Sequence, residues 1–405
     1  MTAREYNAQA NTESVFAERA LLVTVIRPQH NGNMQAYEDE MKQLAQTAGL
    51  EIIETVSQSL QQPNAKTLIG KGKVQQITDI IRAAPEIDPH RRHNRSIDII
   101  LFGSDLSPVQ QRNLEKMFGR RVIDRTELIL DIFAQHAVTR DGKIQVELAQ
   151  LQYLKPRLVG RGLELSRLGG GIGTRGPGET KLEVDRRKID SRIRRLKDEY
   201  KKCRSVGKVQ RRARKRNGLL NVALVGYTNA GKSTFLNRLT KSKVSAENQL
   251  FCTLDTTTRR LFLPDGTRLL LSDTVGFIEN LPELLLGAFR ATLAEVEEAD
   301  ALIHVLDASS EDAERQIEAV MGILKELQAD HKPMLTLLNK SDKVEDEIHL
   351  RRLQRLCAPS VPFSAIYDKD LNQLFAELKK LAENAQYQRV KVPEEEEEEA
   401  FSPFL

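Results

Sequence analysis

The chain has 405 residues, 40% of them hydrophobic and 29% charged, a length that asks for two or three domains and a composition far from that of disordered chains. Lys and Arg number 61 against 57 Asp and Glu, and the net charge of +4 singles out no class of partner. Cys203, Cys252 and Cys357 make no CxxC and no even-numbered framework, so neither a disulfide scaffold nor a zinc site is indicated and a reducing compartment fits. Residues 1–18 are polar without an apolar signal core, and no window reaches the roughly 20 apolar residues of a membrane helix. A soluble, cytoplasmic, monomeric protein with a flexible N-terminus over 1–18 is expected.

Residues 19–140 alternate strand-like runs (21–26, 97–102) with helical spacing (34–48, 73–84, 108–117), which predicts a small α/β domain with a mainly parallel sheet. Gly70, Lys71 and Gly72 are read as the turn into a helix, because a lone GxG without its context is a weak phosphate signal. From 141 to 218 the pattern becomes helical. Ile144, Leu148, Leu151 and Leu158 form one seam; Leu182, Ile189, Ile193, Leu196, Tyr200 and Cys203 form a second with heptad spacing. The stretch 168–178 between them is too rich in glycine for either helix, so an antiparallel, coiled-coil-like hairpin with a glycine-rich tip is expected. Residues 186–216 hold 16 Lys or Arg and three acids, a local charge of +13 that leaves −9 for the rest of the chain.

Residues 219–225 read as a buried strand running into Gly226, Tyr227, Thr228, Asn229, Ala230, Gly231, Lys232 and Ser233, which is GxxxxGK[ST] in its strand–loop–helix context. The glycines let backbone N–H groups turn toward phosphates, Lys232 supplies a cation to the β and γ oxygens, and the Ser233 hydroxyl can ligate Mg2+. Phe251, Cys252, Thr253, Leu254 and Asp255 open a hydroxyl-rich segment ending at Thr258, where one threonine is expected to bind Mg2+ with the γ-phosphate; several fit, and Thr253 is preferred. A hairpin around Pro264, Asp265 and Gly266 leads to Asp273, Thr274, Val275 and Gly276. Asp273 can reach Mg2+ through water, and Gly276 can offer its N–H to the γ-phosphate.

Apolar strands at 301–306 and 333–338 follow, the second ending in Asn339, Lys340, Ser341 and Asp342. The Asp342 carboxylate can accept from N1–H and the exocyclic amine of guanine, a pair adenine lacks, so GTP and GDP are the expected nucleotides. Asn339 and the stem of Lys340 position and cover the ring. Ser364, Ala365 and Ile366 form the loop expected to back the base with a main-chain N–H. These elements predict a P-loop GTPase domain of Ras-like topology over 219–385, while 386–405, with six consecutive acids from 394 to 399, is an acidic, disordered tail.

The order GYTNAGKS, TLD, DTVGF and NKSD, with Leu281, Pro282 and the run AFRATL over 288–293, resembles the HflX GTPases of the translation-factor-related class. VIDRT over 122–126, the stretch 128–135, QVELAQL over 145–151 and the glycine-rich loop at 169–179 resemble that family's N-terminal domain and linker, so the likeness covers nearly the whole chain. It implies a GTPase of the large ribosomal subunit that splits stalled or idle ribosomes; some members hydrolyse ATP as well. It assigns Mg2+ to Ser233 and Thr253. Thr256 stands where the family's TLDPT segment has proline, and many members continue into a further C-terminal domain where this chain has its acidic run.

Ras-like GTPases orient water with a Gln directly after DxxG; here that position is Phe277, so Lys232 and Gly276 support phosphoryl transfer without such a side chain. Slow intrinsic turnover, stimulated by the ribosome, is expected. Asn229 matches the P-loop Asn of K+-dependent relatives, which raises a monovalent-cation site beside the simpler reading that it stabilises the loop. The basic helix then suits ribosomal RNA, with Arg186, Arg187, Arg194, Arg195, Arg211, Arg212, Arg214, Lys215 and Arg216 as candidate phosphate contacts. A ribosome-biogenesis GTPase and a GTP-dependent switch acting on a protein effector are the alternatives.

Overall fold

The computed structural model describes residues 18–26, 34–84, 96–158, 181–216, 219–240, 250–251, 256–278, 293–367 and 371–391, excluding the side chains of 181–183, 185, 204–216 and 388–391. It divides into two compact units, Met1–Ile132 and Phe133–Leu405.

The first unit alternates β1 (Glu18–Ile26), α1 (Met34–Thr47), β2 (Leu50–Ser59), α2 (Lys71–Ala83), β3 (Ile99–Phe102), α3 (Pro108–Phe118) and β4 (Arg121–Asp124), and ends in α4 (Arg125–His136), which crosses into the second unit. The four strands lie in the order β2-β1-β3-β4, and every pairing is parallel. Parallel strands covered on both faces need continuous apolar sequence, which is why Ala20–Val23 and all of β3 are buried. Helix starts follow local chemistry. Gly70 is the N-cap of α2, so the Gly70–Gly72 turn opens a helix. Ser107 and Gln110 close a capping box around Pro108 at the start of α3, and Gly119, at φ 62°, ends it.

The second unit begins with a helical hairpin, α5 (Arg140–Leu158) and α6 (Lys181–Arg216). Arg140 meets Glu199 at 3.6 Å, Glu147 takes two hydrogen bonds from Arg192 at 2.6 and 2.8 Å, and Lys155 meets Asp190 at 2.5 Å. Partners that descend along α6 as they ascend along α5 define an antiparallel pair. Ile193 and Leu196 of the expected α6 seam are buried. On α5 the buried stripe is Val146, Ala149 and Tyr153 beside Ile144, while Leu148, Leu151 and Leu158 are half-buried. Of the α5 seam read from sequence only Ile144 is buried, and Tyr153 is covered by the Arg157 guanidinium 3.4 Å above its ring.

Six strands follow, β5 (Leu220–Val225), β6 (Thr257–Phe262), β7 (Arg268–Asp273), β8 (Ala301–Asp307), β9 (Met334–Asn339) and β10 (Ser360–Pro362), with helices α7 (Lys232–Thr240), α8 (Ala313–Glu326), α9 (Glu347–Leu356) and α10 (Asn372–Lys391). Their order is β10-β9-β8-β5-β7-β6, parallel except for the β6–β7 hairpin. Residues alternate faces along each strand. Val222, Leu224, Ile303, Val305 and Leu337 accordingly pack with Phe235 of α7 and Leu378 of α10, whereas Leu306 and Leu338 pack with Ala313 of α8 and Leu353 of α9. This is the α/β GTPase-type sheet expected from the motif order. Among the described residues no helix is long and apolar enough to cross a membrane.

Candidate active site

The motifs read from sequence converge at the C-terminal ends of β5, β7, β8 and β9, where ligands bind in open parallel sheets. β5 delivers the loop 226–231, and α7 begins at Lys232. Gly226 has φ 153°, and a Cβ there would lie 2.2 Å from the Val305 carbonyl oxygen of β8. No side chain fits that approach. Asn229 sits in the left-handed region at φ 60°, which asparagine tolerates better than most residues.

Lys232 is buried, and its ammonium donates to the carbonyls of Gly226 at 3.0 Å and Tyr227 at 2.8 Å. Burial pushes its pKa down to about 8, against the opposing pull of Asp273. Ser233 Oγ donates to Asp273 Oδ2 at 2.6 Å, so the two groups expected to serve Mg2+ are already paired. A hydroxyl beside a carboxylate is an all-oxygen donor set that fits a hard divalent cation. Thr274 Oγ1 donates to the Leu224 carbonyl, tying the strand ends together.

The DxxG loop is zipped to the P-loop by main chain. Phe277 N donates to the Gly226 carbonyl at 3.0 Å, and Thr228 N donates to the Phe277 carbonyl at 2.8 Å. The Phe277 side chain is buried. Gly276 lies so close that a Cβ on it would fall 2.8 Å from Thr228 Cα and 3.1 Å from Lys232 Nζ.

At the end expected to meet the base, Asn339 acts as a two-sided clamp. Its Nδ2 donates to the Ala230 carbonyl at 2.7 Å, and its Oδ1 accepts from Ala365 N at 3.1 Å, joining the P-loop to the 364–366 loop. The same amide explains Gly231, where a Cβ would lie 2.3 Å from Asn339 Nδ2. Lys340, at φ 59°, sends its ammonium to the Asn229 carbonyl at 3.0 Å and to Asp307 Oδ2 at 2.6 Å. Asp307 was not among the residues expected from sequence; an acid closing a strand that is apolar but for His304 is the signal for it. Asp342 is exposed, Ser341 is half-buried, and Ser364 is buried with its Oγ accepting from Tyr367 N at 3.2 Å. Val275 is buried, and Ile366 is exposed.

Phe251, expected at the nucleotide, places its ring edge-on against Phe133 of α4 at 4.8 Å and is buried there. Cys252, Thr253, Leu254 and Asp255 lie outside the described residues, as do the glycine-rich loop at 169–179 and residues 279–292. On α6, Arg186, Arg187, Arg194 and Arg195 are exposed. Arg211, Arg212, Arg214, Lys215 and Arg216 belong to the same helix, with side chains outside the description.

Three family models match in succession: "GTP-binding GTPase N-terminal" over residues 35–134, "GTP-binding GTPase Middle Region" over 136–214, and "50S ribosome-binding GTPase" over 221–340. The chain is 48% identical to the GTPase HflX of Alkalihalophilus pseudofirmus over 307 residues, 76% of this chain and 70% of the relative. It is 44% identical to the GTPase HflX of Magnetococcus marinus over 366 residues, 90% and 82% of the two chains.

The chain belongs to the HflX GTPase family.

The GTPase HflX of Escherichia coli K12 is 44% identical over 307 residues, covering 76% of this chain and 70% of its own. A crystal structure of SsGBP in complex with GDP aligns with a TM-score of 0.51 at 24% identity, over 93% of this chain and all of the other, and supports the fold alone. As an HflX-family P-loop GTPase the protein hydrolyses GTP, and the geometry says how its residues contribute. Lys232, at the head of α7, and Gly276 lie together beside the loop 226–231, where a loop of this type presents its amides to phosphate. Mg2+, when bound, would neutralise charge on the phosphates, and the paired oxygens of Ser233 and Asp273 are the groups that would hold it.

Proposed function

We propose that this GTPase binds the large ribosomal subunit through ribosomal RNA and, in its GTP state, splits or rescues idle and stalled ribosomes. The observation that carries the reading is the arginine face of α6, where Arg186, Arg187, Arg194 and Arg195 are all exposed to solvent. Positive charge displayed along one helix suits RNA phosphate, where each neutralised contact releases counterions. The family model's description as a 50S ribosome-binding GTPase supports the same partner. GTP is read through Asp342, with the Ile366 amide available to the base because that of Ala365 is engaged by Asn339. The buried Phe277 side chain agrees with slow turnover until the ribosome completes the site. Asn229 is proposed to serve a K+ ion; replacing K+ by Na+ at constant ionic strength is expected to slow hydrolysis, and equal rates would assign Asn229 to loop geometry alone.

Light scattering of intact ribosomes after adding the protein with a non-hydrolysable GTP analogue tests the function. A fall in scattering supports splitting, binding restricted to free subunits or precursors favours a biogenesis role, and no binding leaves a protein-effector switch. Replacing Arg186, Arg187, Arg194 and Arg195 by Gln is expected to weaken binding to large subunits and flatten its salt dependence by roughly 0.7–0.9 per lost contact. Wild-type binding by that variant removes these four arginines from the interface.

A further inference from the structure

We propose that the Thr228 hydroxyl is a second side-chain group, beside the Lys232 ammonium, that meets the γ-phosphoryl group of GTP in this enzyme, in the place that Phe277 cannot fill. Thr228 is the third residue of the P-loop and is 6% exposed. Its Oγ1 is shielded from solvent and has no hydrogen-bond partner. Its position is fixed by the DxxG loop. The main-chain N–H is held by the Phe277 carbonyl, and Cα and Cγ2 both lie 2.8 Å from where a Cβ on Gly276 would stand. Lys232 Nζ is 3.1 Å from that same point. Thr228 and the Lys232 ammonium therefore crowd the same glycine, the one expected to offer its amide to the terminal phosphate.

A buried hydroxyl without a partner costs stability that an isosteric valine would not, so its use belongs to a state in which a partner arrives. The ligand of this loop brings phosphate oxygens, and a hydroxyl can donate to one. Phe277 offers no alternative, since its main chain is bound to the P-loop and its ring is buried. In hydrolysis a water oxygen forms the bond to Pγ, and the bond from Pγ to the β,γ-bridging oxygen breaks with its electron pair leaving on GDP. The water protons pass to the phosphate product and solvent. Thr228 keeps its own proton and donates it as a hydrogen bond to a non-bridging γ-oxygen, fixing the phosphoryl group as charge redistributes across it. GDP lacks that group, so the contact distinguishes GTP from GDP.

Thr228→Val and Thr228→Ser test this without the ribosome. With Thr228→Val, single-turnover hydrolysis is expected to fall about tenfold or more, the loss expected of one hydrogen bond made to the transition state. Affinity for a non-hydrolysable GTP analogue falls while that for GDP is unchanged, and the melting temperature of the nucleotide-free protein stays level or rises. Thr228→Ser retains most of the rate. Hydrolysis at the wild-type rate by Thr228→Val overturns the proposal. So do equal losses of GDP and GTP-analogue affinity, or a lower nucleotide-free melting temperature, either of which makes the hydroxyl a structural part of the loop.

Discussion

The two sheets of this protein share a parallel, helix-covered design, yet they treat the polar groups at their C-terminal strand ends in opposite ways. In the N-terminal sheet those ends are tied together by side-chain hydrogen bonds. Tyr37 donates to the Gly103 carbonyl, Thr126 to Asp105 at 2.6 Å, and Arg125 to Glu40 at 3.0 Å. Buried Asp124 accepts from the amides of Leu106 and Glu127 at 3.1 and 2.8 Å. In the GTPase sheet the same edge holds a desolvated ammonium on Lys232, an orphaned hydroxyl on Thr228, and three residues at positive φ between 226 and 231. Architecture alone does not make a site. What marks the second edge is a desolvated ammonium, a buried hydroxyl and a run of positive-φ backbone gathered in one short loop, and these become useful when a phosphate arrives.

Glycine substitutions should separate the two edges most sharply. A Cβ at Gly226 meets backbone, the Val305 carbonyl oxygen at 2.2 Å, and neither partner can move without parting β5 from β8. Gly226→Ala is expected to abolish measurable GTP and GDP binding and to destabilise the unit by about 3 kcal/mol or more. At Gly103 the Cβ meets the Tyr37 Oη at 3.1 Å, the far end of a side chain that can shift. Gly103→Ala should leave nucleotide affinity at the wild-type value. Equilibrium binding of a fluorescent guanine nucleotide measures both, and a tight-binding Gly226→Ala protein would remove the close approach from the account.

The sites differ as much in how far sequence reveals them. The P-loop, DTVG and NKSD were legible because phosphate, Mg2+ and guanine each demand particular groups at fixed spacing in one stretch of chain. The clamps were not. Asn339 reaches Ala230 and Ala365 across 109 and 26 positions, and Asp307 meets Lys340 across 33, so those contacts exist only once β5, β8 and β9 lie side by side. In the N-terminal unit β1 and β3 announce themselves by continuous apolar sequence, whereas β2 has a single buried residue, Val56, and lies at the sheet edge. The four residues of β4 are too few to show a period. Thr228 reads as one more loop residue until its burial is known.

The next contrast is in protonation. With its pKa near 8 in the free protein, Lys232 loses charge above that pH, and phosphate favours the charged form, so nucleotide binding takes up a proton there. Affinity for GDP should fall about tenfold between pH 7 and pH 9, with proton uptake visible by calorimetry in buffers of different ionisation enthalpy. The free fold moves the other way: a lysine whose pKa is depressed by folding contributes stability that grows as pH rises from about 8 toward 10.5. Tyr37, at the closed edge, has its pKa raised by burial and stays neutral through this range. An affinity independent of pH between 7 and 9 would mean that Lys232 is not desolvated in the free protein.

The smallest expected effect is at that tyrosine, and it is the mirror of Thr228→Val. Tyr37 Oη is a part-buried donor with a partner, the Gly103 carbonyl directly after β3. Tyr37→Phe keeps the ring packing and removes only the hydroxyl, leaving a carbonyl oxygen at the strand end without its donor. The expected loss is about 1 kcal/mol, read as faster amide hydrogen exchange in β1 and β3, with GTP hydrolysis and GDP affinity unchanged. Thr228→Val removes a hydroxyl that has no partner, so there the rate should fall while the free protein keeps its stability. If Tyr37→Phe instead weakened nucleotide binding, or left exchange untouched, the closed edge would not be the purely structural counterpart of the open one.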